Sequence, residues 1–284
     1  MKKFKLLAAV ATTLALAAFA LAGCGSQASS SASASAQGSS SASSSATKTL
    51  IVGFDSAYPP YGFVGDDGKF TGFDLDLAQA VCDKNGWELK LSAIDWDDKD
   101  ALLAQGNINC IWNGFTMEGR EDGYTFSDPY MLNEQVIVVK AGSDISDFAG
   151  LSGKTVMTQV DSAALDVLEG DQAEVAATFK GGAAQTIGDY NNAFMQLDSG
   201  MIDAVACDLS IAQYQIAANP DKYVQLPTAL STEHSAVGFK KGDTELAQKV
   251  SETLKQLDAD GTVKQLCEKY ASYGISYDNW VLGK

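Results

Sequence analysis

Between Thr49 and Trp112 the chain alternates short apolar runs with segments of helical period, and this alternation restricts the fold more than any other feature. Thr49–Phe54 (TLIVGF) reads as a buried strand. Phe73–Cys82 (FDLDLAQAVC) repeats Leu77, Ala78 and Val81 at helical spacing, and Asn85-Gly86 ends that helix. Glu88–Ile94 follows as a second strand, Lys99–Gln105 as a short helix stopped by Gly106, and Ile108–Trp112 as a third strand. Parallel neighbours need a crossover long enough to hold a helix, so this order predicts an α/β layer with a mainly parallel sheet. SAYPPYGF, between the first strand and the first helix, cannot be a helix interior because Pro59 and Pro60 lack the N–H, and GDDGK is a turn.

A second series begins after the strand Gln135–Lys140 (QVIVVK). It comprises a strand at Lys154–Thr158, helices at Ser162–Leu168 and Tyr190–Leu197, and a strand at Ile202–Cys207. Ala236–Phe239 and a long helix, Glu245–Leu257, with Leu246, Val250, Leu254 and Leu257 on one face, complete the chain. Two α/β units are therefore expected in the roughly 235 residues after Lys48, a length that fits one large domain or two smaller ones.

The first residues indicate where the chain resides. Lys2, Lys3 and Lys5 precede an apolar run, Leu6 to Leu21, which leads to Ala22, Gly23 and Cys24. This is a secretory signal, 1–23, and the run is shorter than the roughly 20 residues of a membrane span. Residues 25–48 are almost only Ser, Ala, Gln and Gly, a composition with no apolar surface to offset ordering entropy, so 24–48 reads as a flexible tether. The formal charge of −16 becomes −19 once the three leader lysines are removed. A surface this acidic repels nucleic acid and anionic lipid, and neither is an expected partner. Cys82, Cys110, Cys207 and Cys267 show no metal spacing, and Cys110 and Cys207 read as small core residues. A Cys82–Cys267 disulfide is compatible with export but less favoured than two separate thiols.

Other motifs point away from familiar chemistry. GLSGKT (150–155) lacks the leading glycine of a phosphate-binding loop, since that position is Phe148, and reads as a turn before a strand. The one histidine, His234, cannot make a metal site alone and is placed on the surface or at a hinge. No metal and no cofactor are expected.

From about Leu50 onward, GFDSAYPPYGF, GKFTGFDLDLAQAV, NGFTMEGREDGYTFSDPYM, LSGKTVMTQVDSAALDVLE, LDSGMIDAVACDLS and AVGFKKGDTELAQKVSETLKQLDADGTVKQLCEKY occur in an order that resembles the polar amino acid solute-binding proteins of ABC importers. The LAGC ending of the leader likewise resembles a lipobox, which implies lipidation at Cys24 and a membrane anchor on the extracytoplasmic face. The resemblance implies a type II periplasmic-binding-protein-like fold with two lobes, 49–136 with 239–284 and 137–238. Two crossovers, near 135–140 and 234–240, would join them. It also implies an amino acid ligand, a permease partner and a monomer.

Arg120 is the only arginine in the chain, and it matches the family's carboxylate-binding position. A guanidinium offers paired parallel donors that a lysine does not. The resemblance adds hydrogen bonds from Thr116 and the backbone near Gly114, and backbone N–H groups at Ser162 and Ala163. Asp208 matches the partner of the ligand ammonium, and Asp55 is a second acid facing either the ammonium or a side chain. Tyr58 and Trp96 match the aromatic walls. Taken without the family pattern, Asp55 and Asp208 could equally be turn or capping acids and Trp96 a core residue.

Two departures stand out: the loop before Arg120 (MEG) is one residue short, with Gly119 expected to let it turn, and Asp161 replaces the usual glycine. Competing readings on the same lobes are a dehydratase-like enzyme, which needs a general acid or base in the cleft, and a sensory surface module. Binding and import, without catalysis, is the expectation.

Overall fold

The computed structural model describes residues 48–283, so the leader, Cys24 and most of the tether lie outside the described residues. Along the chain come β1 (Thr49–Phe54), a small antiparallel meander of β2 (Ala57–Tyr58), β3 (Gly62–Val64) and β4 (Phe70–Thr71), then α1 (Phe73–Asn85) and β5 (Glu88–Ala93). These are followed by α2 (Lys99–Gln105), β6 (Cys110–Ile111), β7 (Tyr124–Phe126) and β8 (Met131–Lys140). Next are β9 (Val156–Gln159), α3 (Ala163–Glu169), α4 (Ala173–Ala176), β10 (Gln185–Ile187), α5 (Tyr190–Ser199) and β11 (Ala204–Asp208). The chain closes with α6 (Leu209–Ala218), β12 (Tyr223–Gln225), β13 (Ser231–Ser235), β14 (Gly238–Lys240), α7 (Thr244–Ala259) and α8 (Thr262–Lys269).

Two larger sheets result, with strand orders β5-β1-β6-β14-β7 and β10-β9-β11-β8-β12, β13 pairing the start of β8. The parallel pairing expected from the alternation is found within β5, β1 and β6 and within β10, β9 and β11. Both sheets are nevertheless mixed, because β14 and β8 enter as antiparallel neighbours. These are strands that have just arrived from the other sheet, and no βαβ crossover dictates their direction.

The changes of sheet fall at 127–130, between β7 and β8, and at 236–237, between β13 and β14. The first lies earlier than the expected 135–140, for a local reason. Met131–Gln135 pairs residue by residue with Ser231–Ser235, a polar strand whose lack of apolar alternation hides it in the sequence.

Gly86 and Gly106 cap α1 and α2 in the left-handed conformation, as their positions predict. Leu246, Val250, Leu254 and Leu257 are all buried on α7, which packs with α8 on α1. α6 and α8 were not anticipated; α6 is apolar around most of its circumference and α8 spans eight residues, so neither shows a long amphipathic stripe. Cys82 and Cys267 are buried and not bridged. No helix among the described residues is long and apolar enough to cross a membrane.

Candidate functional site

Tyr58, Trp96, Asn113, Gly114, Phe115, Thr116, Arg120, Gln159, Ser162, Ala163 and Asp208 line one narrow, partly open pocket. Eight of these carry a sequence expectation; Asn113, Phe115 and Gln159 do not. The pocket is built from strand ends and the loops beyond them. β6 delivers residues 112–116, β9 delivers Gln159 and the start of α3, and β11 ends in Asp208.

The loop carrying Arg120 is tied to the second change of sheet. Ala236 N–H donates to Phe115 O (2.9 Å) and Met117 N–H to His234 O (3.0 Å). His234 itself is half-exposed and bonds Glu118 Oε1 through Nδ1 (2.7 Å). Arg120 N–H then donates to Met117 O (3.1 Å), closing a turn in which Gly119 has φ 79°. This is the conformation that costs an L side chain about 1–2 kcal/mol, and glycine adopts it freely. The shortened loop thereby still brings the guanidinium to the pocket. Arg120 Nη2 donates to Asp166 Oδ2 (2.7 Å) and to Asp161 O (3.2 Å), and the guanidinium carbon lies 5.0 Å from the Phe115 ring centre.

Asp161 resolves the second departure from the pattern. It is the one non-glycine residue with positive φ (56°) among the described residues, at the place where glycine is usual. Its carboxylate points out of the pocket and accepts from the buried Lys99 Nζ (2.9 Å), and its carbonyl accepts from Trp96 Nε1 (3.1 Å) as well as from Arg120. Lys99 also lies 5.2 Å from the Trp96 ring centre. Ser162 caps α3 by accepting from Leu165 N–H (3.2 Å).

On the opposite wall Asp208 accepts from Asn133 Nδ2 (2.6 Å) and Gln135 Nε2 (2.8 Å) on Oδ1 and from the Tyr58 hydroxyl on Oδ2. Burial pushes its carboxyl above the ordinary range, and these donors oppose that shift. The Tyr58 hydroxyl is pushed well up by burial and then by Asp208. Tyr58 stacks near Tyr61, and Trp96 meets Phe115 edge to face.

Three expected residues are placed differently from the sequence reading. Asp55 does not line the pocket: its Oδ2 accepts from Gln159 Nε2 (2.8 Å), so the amide stands between it and the cavity. Gly114 has φ 61° and approaches the Tyr61 ring so closely that a Cβ would sit 2.5 Å from it, but its N–H is given to the buried Asp74 (2.6 Å). Thr116 donates its hydroxyl to Glu233 Oε1 (2.6 Å), another buried acid that sequence reasoning missed. The available signal for these hidden partners was polar residues interrupting strands, Asn133 and Gln135 in MLNEQVIVVK and Gln159 in VMTQ.

Comparison with known proteins identifies the family. Residues 50–273 match the bacterial extracellular solute-binding proteins, family 3. The L-cystine-binding protein TcyJ of Escherichia coli is 30% identical over 225 residues, covering 78% of this chain and 82% of the relative. The arginine-binding extracellular protein ArtP of Bacillus subtilis is 29% identical over 226 residues, 78% and 86% of the two chains. Among solved structures, an ABC uptake transporter substrate-binding protein from Streptococcus pneumoniae with bound histidine superposes with a TM-score of 0.77 at 34% identity, covering 81% and 94%. An ancestral arginine-binding protein bound to arginine gives 0.71 at 33%, covering 78% and 97%. The two-lobed type II periplasmic-binding-protein-like architecture is thus the fold of this chain. With a match running through nearly all of the described residues, the chain belongs to the bacterial extracellular solute-binding proteins of family 3.

Proposed function

We propose that this chain is the extracytoplasmic receptor of an ABC importer and takes a polar L-α-amino acid between its two lobes. The observation that carries the reading is the charge pattern of the pocket: among its lining residues Arg120 is the one cation and Asp208 the one anion, on opposite walls. That is the complement of a zwitterion. The ligand carboxylate meets the guanidinium fork and the N–H groups at Ser162 and Ala163, while the ammonium meets Asp208 and the side chain lies between Tyr58 and Trp96. Relatives that bind cystine, arginine and histidine support a polar ligand.

Each lobe centres on one sheet, and closure brings Arg120, Trp96 and Lys99 onto Asp161 and Asp166. The closed form is what a permease would recognise. No step of bond making is involved. We infer in addition that the mature chain acts as a monomer anchored by lipid on Cys24; recovery of a mature chain from cells with an unmodified Cys24 would refute the anchor. The central test is a thermal-shift screen of the proteinogenic amino acids plus L-cystine, followed by calorimetry. A ligand at 100 times its Kd adds about 2.7 kcal/mol of stability, and a screen in which no amino acid raises the melting temperature overturns the reading.

A further inference from the structure

Beneath the ammonium wall lies a second buried carboxylate, Glu233, arranged by strand register. β8 runs between β11 and β13, with Asp208 opposite Gln135 and Glu233 opposite Asn133. Asn133 and Gln135 are two residues apart and so share one face of β8. Each amide nitrogen serves both acids: Asn133 Nδ2 lies 2.6 Å from Asp208 Oδ1 and 2.8 Å from Glu233 Oε1, and Gln135 Nε2 lies 2.8 and 2.6 Å from the same oxygens. Turning the Gln135 amide over would aim its carbonyl at two carboxylates, which fixes its orientation and leaves Oε1 without a partner among the described residues.

Thr116 Oγ1 donates to the same Glu233 Oε1 at 2.6 Å. A hydroxyl has one proton, and this one is committed. Thr116 lines the pocket, and with its proton committed its hydroxyl oxygen can only accept, which suits an ammonium and not a carboxylate.

We propose that Glu233 is a positioning residue for the ammonium seat, holding Thr116 as an acceptor and sharing the Asn133 and Gln135 amides with Asp208, so that the pair of acids demands a cationic group on the ligand. This rests on the reading of the pocket as an α-amino acid site and deepens it: an α-hydroxy acid with the same carboxylate and side chain satisfies Arg120 but leaves the two acids uncompensated. Burial, and then Asp208, push the Glu233 carboxyl above its ordinary range. Around the pair, Arg120 is already bonded to Asp166, His234 to Glu118, the Tyr58 hydroxyl to Asp208, and Asp171 lines the cavity on the outer side of Glu233. Among the described residues no cation is bonded to either acid. Without ligand the pair retains a proton as pH falls, and an arriving ammonium replaces it.

The test takes whichever of the proteinogenic amino acids and L-cystine binds most tightly and compares it, by calorimetry, with the corresponding α-hydroxy acid. Glu233→Gln keeps the shape and removes the charge. It should reduce the preference for the amino acid over the hydroxy acid about tenfold, as for loss of a charge-assisted contact, with the hydroxy acid's own affinity little changed. Wild-type affinity should fall from pH 8 to pH 5 with proton release on binding, and the variant should show a flatter profile. Thr116→Val should lose the same preference, and the double variant should lose no more than either single one. Unchanged preference and pH profile in Glu233→Gln, or additive losses, would overturn the proposal. If Glu233→Gln does not fold, Thr116→Val decides: a reduced preference for the amino acid over the hydroxy acid supports the pair and an unchanged preference refutes it. Wild-type protein that binds no proteinogenic amino acid and no L-cystine overturns the amino acid reading along with it.

Discussion

Asp161→Gly restores the residue usual at this position, and the structure predicts that it weakens ligand binding. Two effects oppose each other. The backbone at Asp161 has φ 56°, where an L side chain costs about 1–2 kcal/mol that glycine avoids. Against this, Lys99 is 3% exposed and its ammonium lies 2.9 Å from the Asp161 carboxylate. Stranding a fully buried ion costs about 3–5 kcal/mol, but the Asp161 side chain is 52% exposed. Water already shares that charge, which reduces the loss to about 1–2 kcal/mol. Strain at Asp161 is present whether the lobes are open or closed and cancels in a binding measurement. On the closure proposed above, the pair with Lys99 forms only when the lobes meet, so its loss remains. Affinity should therefore fall about 5- to 30-fold, while the unliganded melting temperature rises slightly, because glycine releases the strain at this position in the open form and only part of that gain is offset by the freer unfolded chain. Calorimetry on Asp161→Gly, Lys99→Met and the double variant gives the coupling directly. Binding as tight as wild type in Asp161→Gly, or strictly additive single effects, would refute the reasoning.

Three further outcomes are expected. Arg120→Lys should weaken amino acid binding by about 3–5 kcal/mol, because a desolvated carboxylate loses its fork partner; unchanged affinity in calorimetry would show that the pocket is misassigned. Asp166→Asn should weaken binding up to about fivefold, since its exposed carboxylate, which meets Arg120 on the proposed closure, contributes about 0.2–1 kcal/mol, and tighter binding would contradict that role. Asp74, fully buried beneath Gly114 and Tyr130, has its carboxyl pushed up to about 7 by burial. A carboxyl whose folded value lies above its unfolded one binds protons more tightly in the native state, so its contribution to stability rises as pH falls from about 7 towards about 4. Denaturant titrations should show Asp74→Asn losing up to about 1 kcal/mol per pH unit of that slope; an identical slope in the variant would rule Asp74 out as its source.

How far the site is legible in the chain depends on the kind of information each residue carries. Arg120 stands out as the only arginine in the chain, Asp208 is picked out only by the family resemblance, and both line the pocket. Asp55 looked equivalent to Asp208, yet Gln159 stands in front of it. Nothing in DSAYPPY distinguishes an acid that faces a cavity from one that anchors a neighbouring amide. Glu233 was hidden more thoroughly, since STEHS has no apolar period and forms a strand only because β8 offers it a ladder.

The sequence alone determined the α/β alternation, the glycine-capped ends of α1 and α2 and the amphipathic face of α7. These follow from local sterics, periodicity and residue chemistry, which short stretches express by themselves. Only the tertiary structure decided how the donors are spent. Gly114 is given to Asp74 over 40 residues, Lys99 to Asp161 over 62 and Thr116 to Glu233 over 117. A hydrogen bond is short and directional, so it is set by which backbones arrive within 3 Å of each other, a quantity that hydrophobic periodicity does not encode.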